Sequence, residues 1–183
     1  IALDTSVPGY HHGDLVQSQL DWLTETLATP AACGTLLAMH HPPIPTPLLE
    51  AMGMLELQDQ SRLADVIRGT DVRAILAGHL HYSTHSTFAG VPVSVAAATC
   101  YTLDLTAKDR ILSGVDFGQA FSLVHVYDDQ IVHSIVPVGD TTEVTGFSSD
   151  NWAQIESMTP EQRREMFSNK RSPFNSKEAA SSD

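Results

Sequence analysis

Two histidines, one residue apart, follow a short apolar run near the middle of the chain. The run Val72–Ala77 is typical of a buried strand, and it leads through Gly78 to His79 and His81. Residues i and i+2 of an extended chain point to the same face, so both imidazoles are predicted to face one point beyond the strand. Gly78 is expected to permit a backbone turn that a side chain would forbid. Imidazole nitrogens bind transition metals, and the pattern therefore predicts a metal site.

A second strand-like run also ends in histidine. Thr35–Met39 is followed by His40 and His41, and then by a loop over 42–47 that contains four prolines. Proline fixes the backbone angle φ, so a ligand carried beside this loop would be held in place. In open α/β sheets, ligands bind at the carboxyl ends of the strands. The two strand ends together predict one shared metal site.

Helices and hairpins are predicted around these two strands from the spacing of apolar residues and the turn signals. The predicted elements are helices over about 14–28, 48–57 and 59–68, and hairpins over 83–96 and 121–137. Residues 99–118 have a less regular pattern and are predicted to form a mobile surface loop. This arrangement favours an α/β (α+β) fold.

The first helix is predicted from a single apolar stripe. Its members recur at i, i+4, i+7 and i+11, and they are Val16, Leu20, Leu23 and Leu27. Asp14 is predicted to lie at the start of this helix, where a negative charge favours the positive end of the helix dipole.

Composition narrows the classes of function. The chain has 183 residues, of which 42% are hydrophobic and 17% charged, which is an ordinary balance for a globular domain. No apolar run approaches the roughly 20 residues that span a bilayer. The formal charge of −12 argues against nucleic acid as a partner. An acidic protein can still bind a phosphate when a bound metal supplies positive charge locally.

The remaining histidines and the cysteines have simpler interpretations. His11 and His12 lie in a loop, where they are solvated or contact a substrate. His85, His125 and His133 lie within the predicted hairpins and are interpreted as structural or solvent-facing. The two cysteines, Cys33 and Cys100, have no pattern that pairs them and are predicted to be reduced thiols of a cytoplasmic protein.

The motifs around the two histidine pairs resemble those of a known superfamily. Met39-His40-His41-Pro42-Pro43-Ile44-Pro45 and Ala77-Gly78-His79-Leu80-His81 are similar to the last two metal motifs of the calcineurin-like metallophosphoesterases. The stretches 3–9, 68–84, 92–96 and 98–101 resemble the class III bacterial 3′,5′-cyclic AMP phosphodiesterases in particular. The resemblance covers about residues 1–140.

The resemblance implies a fold of two packed β-sheets flanked by helices, with two metal ions (Mn, Fe or Zn) at the strand ends. His40 and His79 resemble ligands of one metal, and His81 resembles a ligand of the other. His41 resembles a neighbour that contacts the ligands or the substrate. The family's other metal motifs and its general-acid histidine have no counterpart in this chain and are expected upstream of Ile1. No catalytic residue is therefore assigned within this chain.

We expect residues 1–140 to be the carboxyl-terminal part of a metallophosphoesterase catalytic domain, because the chain starts within a predicted strand. Residues 141–183 are predicted to be a polar, partly disordered extension, with a short helix that begins at a capping box over 159–162 and ends near Phe167. Five of the ten basic residues lie in this extension. Contact of this basic tail with a membrane surface or a partner protein stays open, as does a homodimer.

The function implied by the resemblance is metal-dependent hydrolysis of 3′,5′-cyclic nucleotides, with cyclic AMP converted to the 5′-monophosphate. The implied partner is the cyclic nucleotide substrate, with no nucleic acid. Two alternatives stay open, namely a metallophosphoesterase for another phosphomonoester or diester and a non-catalytic scaffold relative. Residues 1–183 by themselves are predicted to be inactive, since they supply only part of the metal site.

Overall fold

The computed structural model of the chain describes residues 1–46, 50–107, 112–140, 142 and 152–173. The chain divides into two compact units, Ile1–Gly139 and Asp140–Asp183. None of the described helices is long and apolar enough to cross a bilayer.

A four-stranded mixed sheet forms the centre of the first unit. Its strands are β1 (Thr35–Ala38), β2 (Val72–Ala77), β3 (Thr84–Phe88) and β4 (Val91–Val95), in the order β1-β2-β4-β3. β1, β2 and β4 run parallel, whereas β3 pairs antiparallel with β4 in the predicted hairpin. Residues 1–3 extend the sheet beside β1, since the Leu3 N–H donates to the Ala38 carbonyl at 2.8 Å. Four parallel chain segments, namely residues 1–3, β1, β2 and β4, therefore end at the same edge of the sheet.

Two helices, α1 (Gln17–Leu27) and α2 (Gln60–Ile67), pack their apolar residues into one core with this sheet. The fully buried members of the core are Leu23, Leu37, Leu63, Ile67, Ile75, Leu80, Val93 and Val95. The predicted α/β class, with several sheets flanked by helices, is confirmed. Between the two helices, Glu50–Leu55 forms a 3-10 helix in place of the longer helix predicted over 48–57, of which residues 48 and 49 lie outside the described residues.

The predicted start of α1 is wrong, because Asp14 and Val16 both lie before the helix. Val16 is 62% exposed and is the residue before the first helical turn, while Leu15 is buried in its place. Asp14 lies outside the helix, where its carboxylate accepts from the Leu15 N–H and pairs with Arg62 at 3.5 Å. The helix begins three residues later than predicted because Leu15 is already packed in the core before the helix starts.

Two further sheets have two strands each. The antiparallel hairpin β7–β8 consists of Ala120–Val126 and Ile131–Pro137, close to the prediction. The prediction of a mobile loop over 99–118 is wrong in part, because Thr102–Leu103 (β5) pairs with Gly114–Val115 (β6). This ladder joins residues 11 to 13 positions apart, which local patterns do not reveal; residues 108–111 lie outside the described residues.

The second unit contains two short α-helices, α3 (Trp152–Ser157) and α4 (Pro160–Arg163), and a π-helical turn over Arg164–Ser168. The predicted capping box is confirmed, since the Thr159 hydroxyl accepts from the Gln162 N–H and the Gln162 side chain accepts from the Thr159 N–H. The predicted disorder at the end of the chain falls on residues 174–183, which lie outside the described residues.

Candidate metal centre

The carboxyl ends of β1 and β2 bring three histidines together. The two strands are parallel neighbours, and His40 and His79 each lie two positions after the last residue of their strand. The Gly78 N–H donates to the His40 carbonyl at 3.1 Å, so the backbones stay paired beyond the strands. His41 completes the group, and the candidate ligand atoms of the three side chains lie within 4.8 Å of one another.

The three imidazole rings are in direct contact. His79 Nδ1 lies 2.8 Å from His40 Nε2, which is hydrogen-bond distance. The ring centroids of His41 lie 4.4 Å from His79 and 4.9 Å from His40. Three imidazoles converge on one small volume at the edge where parallel sheets bind ligands.

The backbone at His79 and His81 is left-handed rather than extended, with φ of 68° and 56°. The Leu80 N–H donates to the Gly78 carbonyl at 2.8 Å, which closes a tight turn around His79. The prediction of an extended backbone through His79 and His81 is therefore wrong, because the strand ends at Ala77 and the chain turns to bury Leu80 completely. Each left-handed non-glycine residue costs about 1–3 kcal/mol and persists only where its surroundings impose it.

The role predicted for Gly78 is also wrong. Gly78 does not have a positive φ, and a Cβ atom at this position would lie 3.8 Å from His40 Nδ1, an ordinary van der Waals distance. The turn that was expected at the glycine is made by the following histidine.

His81 lies beside this cluster and is held by the chain that follows β4. Its Nδ1 donates to the Tyr101 carbonyl at 3.0 Å, and the Tyr101 ring lies against it with centroids 4.3 Å apart. An Nδ1–H that is donated to a carbonyl leaves Nε2 with its lone pair available for a cation. The thiol of Cys100 is 4.0 Å from the same Nδ1, and both cysteines of the chain are unpaired and exposed.

Two residues that support His41 were not predicted. Thr5 is 1% exposed, and its Oγ1 lies 2.8 Å from His41 Nδ1. A Cβ atom at Gly13 would overlap the Cβ and Cγ atoms of His41, so only glycine lets this backbone pass so close to the ring. The sequence carried a signal for Thr5, namely a polar residue just after a strand-like run. Thr5 lies two positions after residues 1–3, as His40 lies two positions after β1.

The electrostatic environment keeps the cluster neutral. Burial, followed by the neighbouring His41 and His40, lowers the pKa of His79 to about 4. Burial also lowers the pKa of His40, with a smaller effect from His81. Neutral imidazoles offer the lone pairs that a metal ion needs.

One nitrogen of the cluster has no partner. Within the part of the chain that the structure describes, His79 Nε2 is buried and makes no hydrogen bond. A buried polar atom without a partner is costly, and a bound cation would remove that cost. Together with three neutral rings, this atom fits a divalent metal ion.

The free energy of unfolding of the metal-free protein is expected to fall as the pH is lowered from about 6.5 to about 4. The unfolded chain takes up a proton on His79 near the ordinary pKa, whereas the folded state does so only near pH 4. The part of the free energy of unfolding that depends on neutral His79 is therefore fully present above pH 6.5 and is lost as the pH falls to about 4. Urea titrations at several pH values measure the effect, and His79→Asn should flatten the pH dependence. If the free energy of unfolding of this variant depended on pH as strongly as that of wild type, the effect would not come from His79.

The other histidines lie outside the cluster. His85 and His125 are exposed on their strands, as predicted. His133 is half-buried, and burial followed by the nearby His85 lowers its pKa. In the loop before α1, His11 is exposed, and its backbone partly opposes the lowering of the pKa values of His41 and His79.

No protein-family model matches the chain. A cAMP/cGMP dual specificity phosphodiesterase of Mycobacterium tuberculosis is 58% identical over 154 residues, which are 84% of this chain and 48% of that protein. A probable cyclic nucleotide phosphodiesterase of Rhodococcus erythropolis is 60% identical over 139 residues, which are 76% of this chain and 46% of that protein. The chain therefore spans about half the length of the curated relatives it matches.

A solved dimetal phosphatase of Danio rerio aligns with 68% of this chain and 36% of its own, at 19% identity and a TM-score of 0.47, a likeness too low to establish the fold. The sequence matches are decisive by themselves, since identities of 58% and 60% extend over most of the chain. The resemblance predicted from the histidine motifs is thereby confirmed: over most of its length, the chain is similar in sequence to these two phosphodiesterases.

Proposed function

We propose that the full-length protein hydrolyses the phosphodiester bond of 3′,5′-cyclic nucleotides at a dinuclear metal centre to which this chain contributes one side. The observation that carries the proposal is the cluster of neutral histidines at the shared ends of β1 and β2. The names of the two relatives support cyclic nucleotides as the substrate class. We also propose that the protein is cytoplasmic, as predicted from its sequence.

Each histidine has a distinct part in this proposal. His40 and His79 hold one metal, and His81 holds the other through the nitrogen that Tyr101 leaves free. The metal ions, when bound, supply an activated water and positive charge for the phosphate oxygens. That charge is needed because the chain carries a formal charge of −12. Mn, Fe and Zn all suit imidazole-rich sites of this kind.

The experiment that tests the function uses the full-length protein with added Mn²⁺. Cyclic AMP, cyclic GMP and a glycerophosphodiester are offered in parallel, and the products are separated by chromatography. We expect metal-dependent formation of the 5′-monophosphates and loss of turnover with a chelator. Preference for the glycerophosphodiester would favour the alternative phosphoesterase. The absence of all three activities, in protein that retains its metal, would favour the non-catalytic scaffold.

Removing residues after about 145 from the full-length protein is expected to leave the turnover rate nearly unchanged. The histidine cluster and the residues that hold it lie within Ile1–Gly139, which forms a compact unit of its own. Initial rates with cyclic AMP, compared between the truncated and the intact protein, measure the effect. A loss greater than about tenfold, or 1.4 kcal/mol of activation free energy, would show that the tail supports the site.

A further inference from the structure

The contacts of His41 differ from those of its two neighbours in the cluster. His41 is 5% exposed, and both its backbone and its ring contact the hydroxyl of Thr5. The His41 N–H donates to Thr5 Oγ1 at 3.2 Å, and Thr5 Oγ1 lies 2.8 Å from His41 Nδ1. Residues 36 positions apart are thus joined by two bonds through one oxygen.

Counting hydrogens shows which way the second bond runs. A hydroxyl has one proton to donate, and a backbone N–H can only donate, so Thr5 Oγ1 accepts from the His41 N–H. Among the hydrogen bonds of Thr5 in the described residues, His41 Nδ1 is then the acceptor for the hydroxyl proton of Thr5. A proton on Nδ1 would leave the buried hydroxyl proton without a partner, which folded proteins rarely tolerate.

The surroundings of the ring agree with this direction. With Nδ1 accepting from Thr5, a neutral imidazole must carry its own proton on Nε2. The backbone of His11 opposes the lowering of the His41 pKa, as an acceptor near a ring N–H does, which favours a nitrogen that bears a proton. Gly13 packs closely against the same part of His41, since a Cβ atom at Gly13 would overlap Cγ and lie 2.7 Å from Nδ1 of the ring.

We infer that His41 holds its proton on Nε2 and is a hydrogen-bond donor inside the cluster rather than a metal ligand, with Thr5 as the positioning residue that sets this tautomer. A nitrogen that bears a proton has no lone pair for a cation, so the metal ligands in this cluster are His40 and His79. The same N–H suits an anionic oxygen, and on the proposed function that oxygen belongs to the phosphate of the substrate or product.

Metal content separates a donor from a ligand without any assay of activity. In full-length protein loaded with Zn²⁺ and analysed by elemental analysis, His41→Ala and His41→Gln should retain the metal of wild type. The matched variant His40→Gln should lose metal from one of the two positions. A loss of metal in both His41 variants equal to that in His40→Gln would overturn the inference.

Nuclear magnetic resonance reports the tautomer directly. In metal-free protein labelled with ¹⁵N-histidine, Nδ1 of His41 should show the shift of an unprotonated nitrogen, and Nε2 that of a protonated one. Thr5→Val should abolish this preference and Thr5→Ser should retain it. A protonated Nδ1 in wild type, or an unchanged tautomer in Thr5→Val, would overturn the role of Thr5.

Inorganic phosphate is the probe for the donor. Its dissociation constant on the Zn²⁺-loaded protein should rise about tenfold in His41→Ala, the effect of losing one hydrogen bond to a charged group, and recover in part in His41→Gln. Equal phosphate affinity in wild type and His41→Ala would overturn the donor role. These measurements hold even if cyclic nucleotides prove not to be substrates, so failure of the proposed function and failure of this inference are distinguishable.

Discussion

Replacing His79 by alanine in the full-length protein is expected to lower turnover of cyclic AMP by more than about 10³-fold, several kcal/mol of activation free energy. His79 has a buried Nε2 without a hydrogen-bond partner among the described residues, and its pKa is lowered to about 4. Its ring contacts both His40 and His41. Its removal would take away a ligand from the proposed metal site.

Changes to His40 and His81 should have similar effects, because each is proposed to hold one of the two metals. Two histidines of the β7–β8 hairpin provide the controls. His125→Ala removes an exposed side chain and should leave metal content and turnover unchanged. His133→Ala removes a half-buried ring and should lower the free energy of unfolding at most. Metal content from elemental analysis and initial rates with cyclic AMP are measured for all variants. The proposal fails if His79→Ala keeps metal and activity while His125→Ala loses both.

Residues 1–183 expressed alone are expected to show no metal-dependent turnover of cyclic AMP above background. The chain matches only 48% and 46% of the length of its two relatives, and the resemblance places further metal ligands outside it. The chain also exposes surface that a folded enzyme usually covers. Phe121 and Leu123 lie on one face of β7 and are 48% and 46% exposed, in a sheet of only two strands. Two-stranded sheets are marginal without further packing, and open strands of this kind aggregate.

Size-exclusion chromatography and a phosphodiesterase assay with added Mn²⁺ test this expectation, and the full-length protein in the same buffer is the control. A monomeric chain of 183 residues that hydrolyses cyclic AMP would show that the site is complete within it. The proposal that further ligands lie elsewhere would then be wrong.

The sequence by itself determined most of the elements and the pairing within the two predicted hairpins. The apolar runs before His40 and His79 were predicted as strands because buried strands leave clear apolar patterns in short segments. In the structure they form neighbouring parallel strands. The hairpin over 83–96 and the capping box at Thr159 were predicted for the same reason, since each depends on residues close together in the chain. The convergence of the histidines at one edge then follows from the parallel pairing of β1 and β2.

Only the tertiary structure decided how the site is held. The left-handed turns at His79 and His81 arise because Leu80 is drawn into the core, and a local pattern does not show where a buried side chain must go. The bonds between Thr5 and His41 and the contact between His40 and His79 join residues 36 and 39 positions apart. Such contacts exist only after packing has brought three chain segments to one edge, because hydrogen bonds and ring contacts depend on position in space and not on spacing along the chain.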